Sequence, residues 1–150
     1  MLQTGDEAPD FSLESDEGET VTLSALRGQP VVFYFYPKDD TPGCTAQACS
    51  LRDSYGDILA SGAALYGISP DDSESHRAFR AKYALPFPLL VDTGHAIAEV
   101  YGAWGERPNG AMGIIRSAFV VDEKGKLSGV FYKVSPKDTV PKAEAVLRGE

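Results

Sequence analysis

The sequence predicts an α/β fold: a central mixed β-sheet flanked by helices, with an N-terminal β-hairpin extension. Three observations carry that reading. Val31 to Tyr36 (VVFYFY) is β-branched or aromatic at every position, as a strand buried on both faces would be. Strand-like and helix-like runs then alternate, an order that builds a parallel sheet covered on both sides. Late in the chain, the runs 114–122 and 127–134 flank Glu123-Lys124-Gly125, a hairpin turn that adds antiparallel strands.

The elements follow in order. Phe11-Ser12-Leu13 alternates as a short strand, Asp16-Glu17-Gly18-Glu19 is a turn, and Val21-Thr22-Leu23 pairs back. Pro37 stops the long strand. Thr41-Pro42 reads as an N-cap followed by a first-turn proline, and a helix is predicted from Gly43 to Ala60, with Gly62 as its stop. Ala64 to Ile68 is the next strand. Asp71, Asp72 and Ser73 offer caps for a helix through Ala84. Phe87 to Val91 is a third strand, His95 to Tyr101 a short helix, and Pro136 to Arg148 the last helix. This is the order of a thioredoxin-like fold with a hairpin added in front.

Size and composition set bounds on this reading. A chain of 150 residues, 43% apolar and 24% charged, suits a single domain spanning 1–150 with a real core. A net charge of −8 repels phosphate backbones, so nucleic acid is an unsuitable partner. No basic-then-apolar leader opens the chain, and no apolar run approaches the ~20 residues of a membrane span. A cytoplasmic protein is therefore expected. There, reduced thiol pools make a lone cysteine pair more often catalytic or buried than a structural disulfide.

The chemistry concentrates in Pro37-Lys38-Asp39-Asp40-Thr41-Pro42-Gly43-Cys44, with Cys49 five residues on. Cys44 falls in the first turn of a predicted helix. Backbone N–H groups there lack internal partners and the helix dipole is positive, so both favour a thiolate nucleophile. Thr41 brings a hydroxyl to the same loop, and Gly43 lets the backbone approach a small substrate. On an ideal helix, the Cα atoms of Cys44 and Cys49 would stand roughly 8.6 Å apart, beyond the ~7 Å that a disulfide tolerates. If they bridge, the helix must first unwind locally. If they do not, Cys49 is a buried helical cysteine. Metal binding is a weak alternative, because C-x4-C is not a zinc-knuckle spacing and no second pair exists. His76 and His95 are remote in sequence and are read as solvated. A thioredoxin-type C-x-x-C is absent, which argues against a general disulfide reductase.

Pro37-x3-Thr41-x2-Cys44 resembles the active-site signature of the peroxiredoxins. With Cys49, TPGCTAQACSLRD is similar to the bacterioferritin comigratory protein branch, also called peroxiredoxin Q. The resemblance runs nearly the full length. It includes Gly5-Asp6-x-Ala8-Pro9-x-Phe11, Tyr36-Pro37-Lys38, Gly67-Ile68-Ser69, Phe87-Pro88-Leu89-Leu90 with Asp92, Tyr101-Gly102-x-Trp104-Gly105-Glu106, and Gly113-Ile114-Ile115-Arg116-Ser117-x-Phe119.

The resemblance implies a peroxide site of Pro37, Thr41 and Cys44 completed by Arg116, beside the Gly43 already read as a substrate contact. Arg116 interrupts an apolar run, where an unpaired charge would be costly. The implied activity is reduction of hydrogen peroxide and organic hydroperoxides. Cys44 becomes a sulfenic acid, Cys49 condenses with it, and a thioredoxin-type dithiol protein reduces the disulfide. The resemblance also implies a monomer that needs no metal or organic cofactor. Two departures stand out. The loop 105–115 is shorter than is usual in the family, and position 47 is Gln where many peroxiredoxins carry Glu. The competing readings are a one-cysteine peroxidase resolved by an external thiol, and a redox-sensing module on the same fold.

Overall fold

A computed structural model describes residues 1–149. Its seven-stranded sheet has the order β2-β1-β5-β4-β3-β8-β9. The strands are β1 (Ser12–Ser15), β2 (Thr20–Thr22), β3 (Val31–Phe35), β4 (Ala64–Ser69), β5 (Leu89–Val91), β8 (Ser117–Val121) and β9 (Leu127–Phe131). β3, β4 and β5 run parallel, whereas β1 pairs antiparallel with β5, and β8 with both β3 and β9. The mixed thioredoxin-like sheet expected from the alternation is present.

The burial pattern of β3 explains the layers. All five of its residues are buried, and successive side chains point to opposite faces. Val32 and Tyr34, followed by Tyr36, join one core with Cys44, Ala48 and Leu51 of helix α1 (Pro42–Asp53), Ile58 of α2 (Tyr55–Ala60), Phe79 of α3 (Ser73–Tyr83) and Ala143 of α5 (Thr139–Leu147). Val31, Phe33 and Phe35 face a second core with Phe11, Phe119, and Ala98 of α4 (Ala96–Val100). Phe33 stacks on Phe119 at 5.5 Å and meets Tyr101 edge-on at 5.2 Å.

Several boundaries differ from expectation. The helix predicted from Gly43 to Ala60 breaks at Ser54 into α1 and α2. Asp53-Ser54-Tyr55-Gly56 gathers weak helix formers, and Ser and Asp compete for local backbone bonds. The strand predicted over 114–122 is two strands. β7 (Met112–Ile114) pairs with β6 (Trp104–Glu106) in a separate hairpin, and β8 begins only at Ser117. The break falls at Ile115 and Arg116. Ile115 N–H donates to the Ala103 carbonyl (2.7 Å), and the Arg116 carbonyl accepts from Val134 N–H (3.0 Å). The β6–β7 hairpin went unpredicted because each strand is short and centred on a glycine, Gly105 opposite Gly113.

Candidate active site

The end of β3 and the start of β8 lie side by side at one end of the sheet's strands, because Phe35 pairs with Ser117. The chain leaving β3 turns through Pro37 to Asp40 into α1, so the residue before Ser117 is held against the first turn of that helix. Arg116 and Cys44, distant in sequence, are brought together by this register. Arg116 Nη2 lies 3.5 Å from Cys44 Sγ, and Nη1 donates to Gln47 Oε1 at 2.7 Å. Gln47 Nε2 donates in turn to Thr139 Oγ1 (2.9 Å), and Thr139 donates to the Ser135 carbonyl (3.0 Å). Gln47 and Thr139 are fully buried. A neutral Gln47 thus orients Arg116 without neutralising it, which leaves the full guanidinium charge for the sulfur.

Helix α1 presents Cys44, Gln47, Ala48 and Leu51 to the interior, an i, i+3, i+4, i+7 stripe. Cys44 is 2% exposed and Cys49, off the stripe, is partly exposed; both are free thiols. Thr41 is the N-cap and Pro42 the first helical residue, as expected, but the Thr41 side chain caps nothing. Its hydroxyl donates to the Lys38 carbonyl at 2.8 Å, which leaves its oxygen lone pairs to accept from a substrate O–H. Pro37 is half-buried in the turn after β3. Gly43 lies directly beneath Arg116, where a Cβ would stand 3.0 Å from Nη2. Beside this cluster, an open groove of about 460 Å³ is lined by Glu106, Arg107, Pro108, Ile115, Arg116 and Lys133 among others.

Beneath the loop lies a second cluster that the sequence reading missed. His76 is not solvated: it is 0% exposed and makes two hydrogen bonds. Its Nδ1 meets Asp39 Oδ2 at 2.7 Å and its Nε2 meets the Leu90 carbonyl at 2.9 Å. Asp39, itself buried, also accepts from Tyr36 Oη (2.5 Å) and Ser75 Oγ (2.8 Å). A carbonyl only accepts, so Nε2 carries a proton. Asp39 already accepts from the Tyr36 and Ser75 hydroxyls, so Nδ1 is assigned as the donor to it, which is the imidazolium form. Burial alone pushes the His76 pKa down; the hydrogen bond and charge of Asp39, with the Leu90 carbonyl, outweigh it and leave the pKa raised. Burial likewise holds the Tyr34 and Tyr36 phenols neutral. The signal for His76 was its spacing: His76, Phe79 and Tyr83 fall at i, i+3, i+7 on one face of α3. His95 is partly exposed and stacks on Trp104 with ring centres 3.5 Å apart, so it too is packed.

Fold and site together define a thioredoxin-like protein with a thiol at the start of its first helix facing an arginine. Comparison with known proteins agrees. The AhpC/TSA family model matches residues 4–130. Peroxiredoxin Bcp of Bacillus subtilis is 45% identical over 150 residues, covering 98% of this chain and 96% of the relative. The chloroplastic peroxiredoxin Q of Triticum aestivum is 45% identical over 132 residues, covering 87% of this chain and 59% of its own. Among solved structures, the peroxidoxin BcpB of Mycobacterium tuberculosis superposes with a TM-score of 0.90 at 33% identity, covering 99% of this chain and 98% of that one. A peroxiredoxin Q structure from Xanthomonas campestris gives 0.86 at 32%, covering 97% and 95%. The chain belongs to the AhpC/TSA family, in the peroxiredoxin branch that holds Bcp and peroxiredoxin Q.

Proposed function

We propose that the protein is a two-cysteine thiol peroxidase in which Cys44 attacks the peroxide and Cys49 resolves the product. The observation that carries this reading is the Arg116 guanidinium 3.5 Å from Cys44 Sγ, in a loop that also offers the Thr41 hydroxyl. Arg116 sets a fixed cation beside the sulfur, complementary to a thiolate and to the negative charge that develops on the departing oxygen. Thr41 accepts a hydrogen bond from the peroxide O–H and orients the O–O bond in line with Sγ. Pro37 and Gly43 shape the pocket, Gly43 by leaving room for Arg116.

The electrons balance in three steps. Thiolate sulfur attacks one oxygen of ROOH; the O–O bond breaks, the other oxygen takes a proton and leaves as ROH, and Cys44 becomes a sulfenic acid. The Cys49 thiol then displaces the sulfenic hydroxyl as water, forming the disulfide. A thioredoxin-type dithiol protein reduces that bond by exchange and is itself oxidised.

The second step requires movement, since both cysteines sit on the continuous helix α1. Its first turn is suited to open. Thr41 spends its hydroxyl on Lys38 and not on a cap, a bond otherwise worth about 1 kcal/mol to a helix end. Gly43 further weakens that turn.

The reading extends to a monomeric single domain working in the cytoplasm. No helix among the described residues is long and apolar enough to cross a membrane. The large exposed apolar side chains are Met1 at the N-terminus, Leu59 on α2, Val100 on α4 and Met112 on β7.

Mass spectrometry after one equivalent of hydrogen peroxide tests the cycle. Wild type is expected to lose two hydrogens and yield a Cys44–Cys49 cross-linked peptide, whereas Cys49→Ser gains one oxygen on Cys44. An unmodified Cys44 in wild type would refute the assignment.

A further inference from the structure

The buried Asp39–His76 pair lies outside the peroxide site, yet it is fastened to it through one peptide unit. The Lys38 carbonyl accepts the Thr41 hydroxyl at 2.8 Å, and the Asp39 N–H of the same peptide donates to Asp71 Oδ2 at 2.8 Å. Asp71 is steadied by Ser69 Oγ at 2.7 Å. The Asp39 side chain is fixed by Tyr36, Ser75 and His76. The next residue, Asp40, adopts a left-handed φ of 56° and bonds Lys82 Nζ (2.7 Å) and Tyr83 Oη (2.8 Å) of α3. The loop that carries the peroxide ligands is therefore hung on α3, and His76 is its only fully buried anchor there.

We propose that Asp39 and His76 act together as positioning residues that fix the Lys38–Asp39 peptide, and through it the Thr41 hydroxyl, for peroxide reduction. The pair touches neither substrate nor sulfur. It acts by holding Thr41 where it accepts a hydrogen bond from the peroxide O–H, and the inference rests on the peroxidase reading above. Breaking the pair frees the peptide plane, lets the hydroxyl rotate away from Lys38, and misaligns the substrate while leaving Cys44 and Arg116 in place.

The pH signature follows from the imidazolium. The groups facing it are Asp39 and Tyr36 from β3 and its loop, Asp71 from the β4–α3 loop, the Leu90 carbonyl of β5 and Ser75 on α3 itself. Because its pKa is raised on folding, the ion pair is complete below the ordinary histidine value of about 6.5 and is lost as pH rises through the higher folded value. Tyr36 stays neutral throughout that range, since burial drives its pKa upward. Peroxide reactivity should thus fall on the alkaline side, where thiolate reactivity by itself does not.

The test is the second-order rate constant of Cys44 with hydrogen peroxide, measured from about pH 6 to 9.5 on wild type, His76→Gln and Asp39→Asn, beside the rate of Cys44 alkylation by iodoacetamide. The expected result is a wild-type alkaline fall that is absent from both variants, a peroxide rate lowered by about tenfold in the variants at neutral pH, and alkylation changed by less than about twofold. Equal peroxide rates in variants and wild type would overturn the inference, as would peroxide and alkylation rates falling together. If a variant does not fold, the wild-type profile decides: a peroxide rate that follows alkylation up to the alkaline limit overturns the inference. A wild type that reduces no peroxide sinks the peroxidase reading and this inference with it, whereas an active wild type with unaffected variants sinks this inference alone.

Discussion

Single atoms decide the geometry around Cys44. The space above Gly43 is filled by Arg116, and a methyl group there would press on Nη2 from 3.0 Å. The guanidinium is pinned by Gln47 and has little freedom to yield except away from the sulfur. Gly43→Ala is therefore expected to lower the peroxide rate constant by about tenfold. The same change adds a better helix former to α1, so thermal unfolding should be unchanged or slightly later. Stopped-flow oxidation and a melting curve together check this opposition of rate and stability. At this scale the sequence was legible where a residue has one plausible use. Cys44 at a helix start and Thr41 before it pointed to an anionic site, and the family resemblance added Arg116, whose place in an apolar run fitted that role. Asp39 and His76 were not legible in the same way, because each is an ordinary surface residue until the fold places both beneath the same loop.

Elements carry the second group of consequences. The N-terminal hairpin is tied to the rest by Asp16, which is 3% exposed and accepts two contacts from Arg80 Nη1 (3.1 and 3.0 Å) and one from Leu89 N–H (3.1 Å). Removing the carboxylate leaves a buried amide and a largely buried guanidinium without this partner. Asp16→Ala is thus expected to destabilise the fold by about 3 kcal/mol. Urea unfolding checks it, and an unchanged midpoint would mean that β1 and β2 contribute little to the cooperative unit. Strands β3, β4, β8 and β9 were readable from apolar periodicity, as was the capping of α3, where Asp72 accepts from Ser75 N–H at 2.9 Å. The breaks were not. Ser54 interrupts its run among weak helix formers, after which α2 buries Ile58, whereas Arg116 leaves the sheet to reach α1.

At the scale of the whole molecule, the central strands β4, β3 and β8 offer one face on which α1, α3 and α5 share a core. α1 supplies the thiols, α5 holds Gln47 through Thr139, and α3 holds the loop through His76. On the proposed cycle, this division would let the start of α1 unwind for disulfide formation while its surroundings stay packed. The central claim is that Cys44 and Cys49 form one catalytic cycle with a dithiol reductant. The most direct measurement is peroxide-dependent NADPH oxidation with thioredoxin and thioredoxin reductase, on wild type, Cys44→Ser and Cys49→Ser. The account predicts turnover by wild type and none by either variant, with Cys49→Ser still consuming one equivalent of peroxide. Full thioredoxin-linked turnover by Cys49→Ser would contradict it and leave an externally resolved, one-cysteine peroxidase; no turnover by wild type with any peroxide would leave a redox-sensing module.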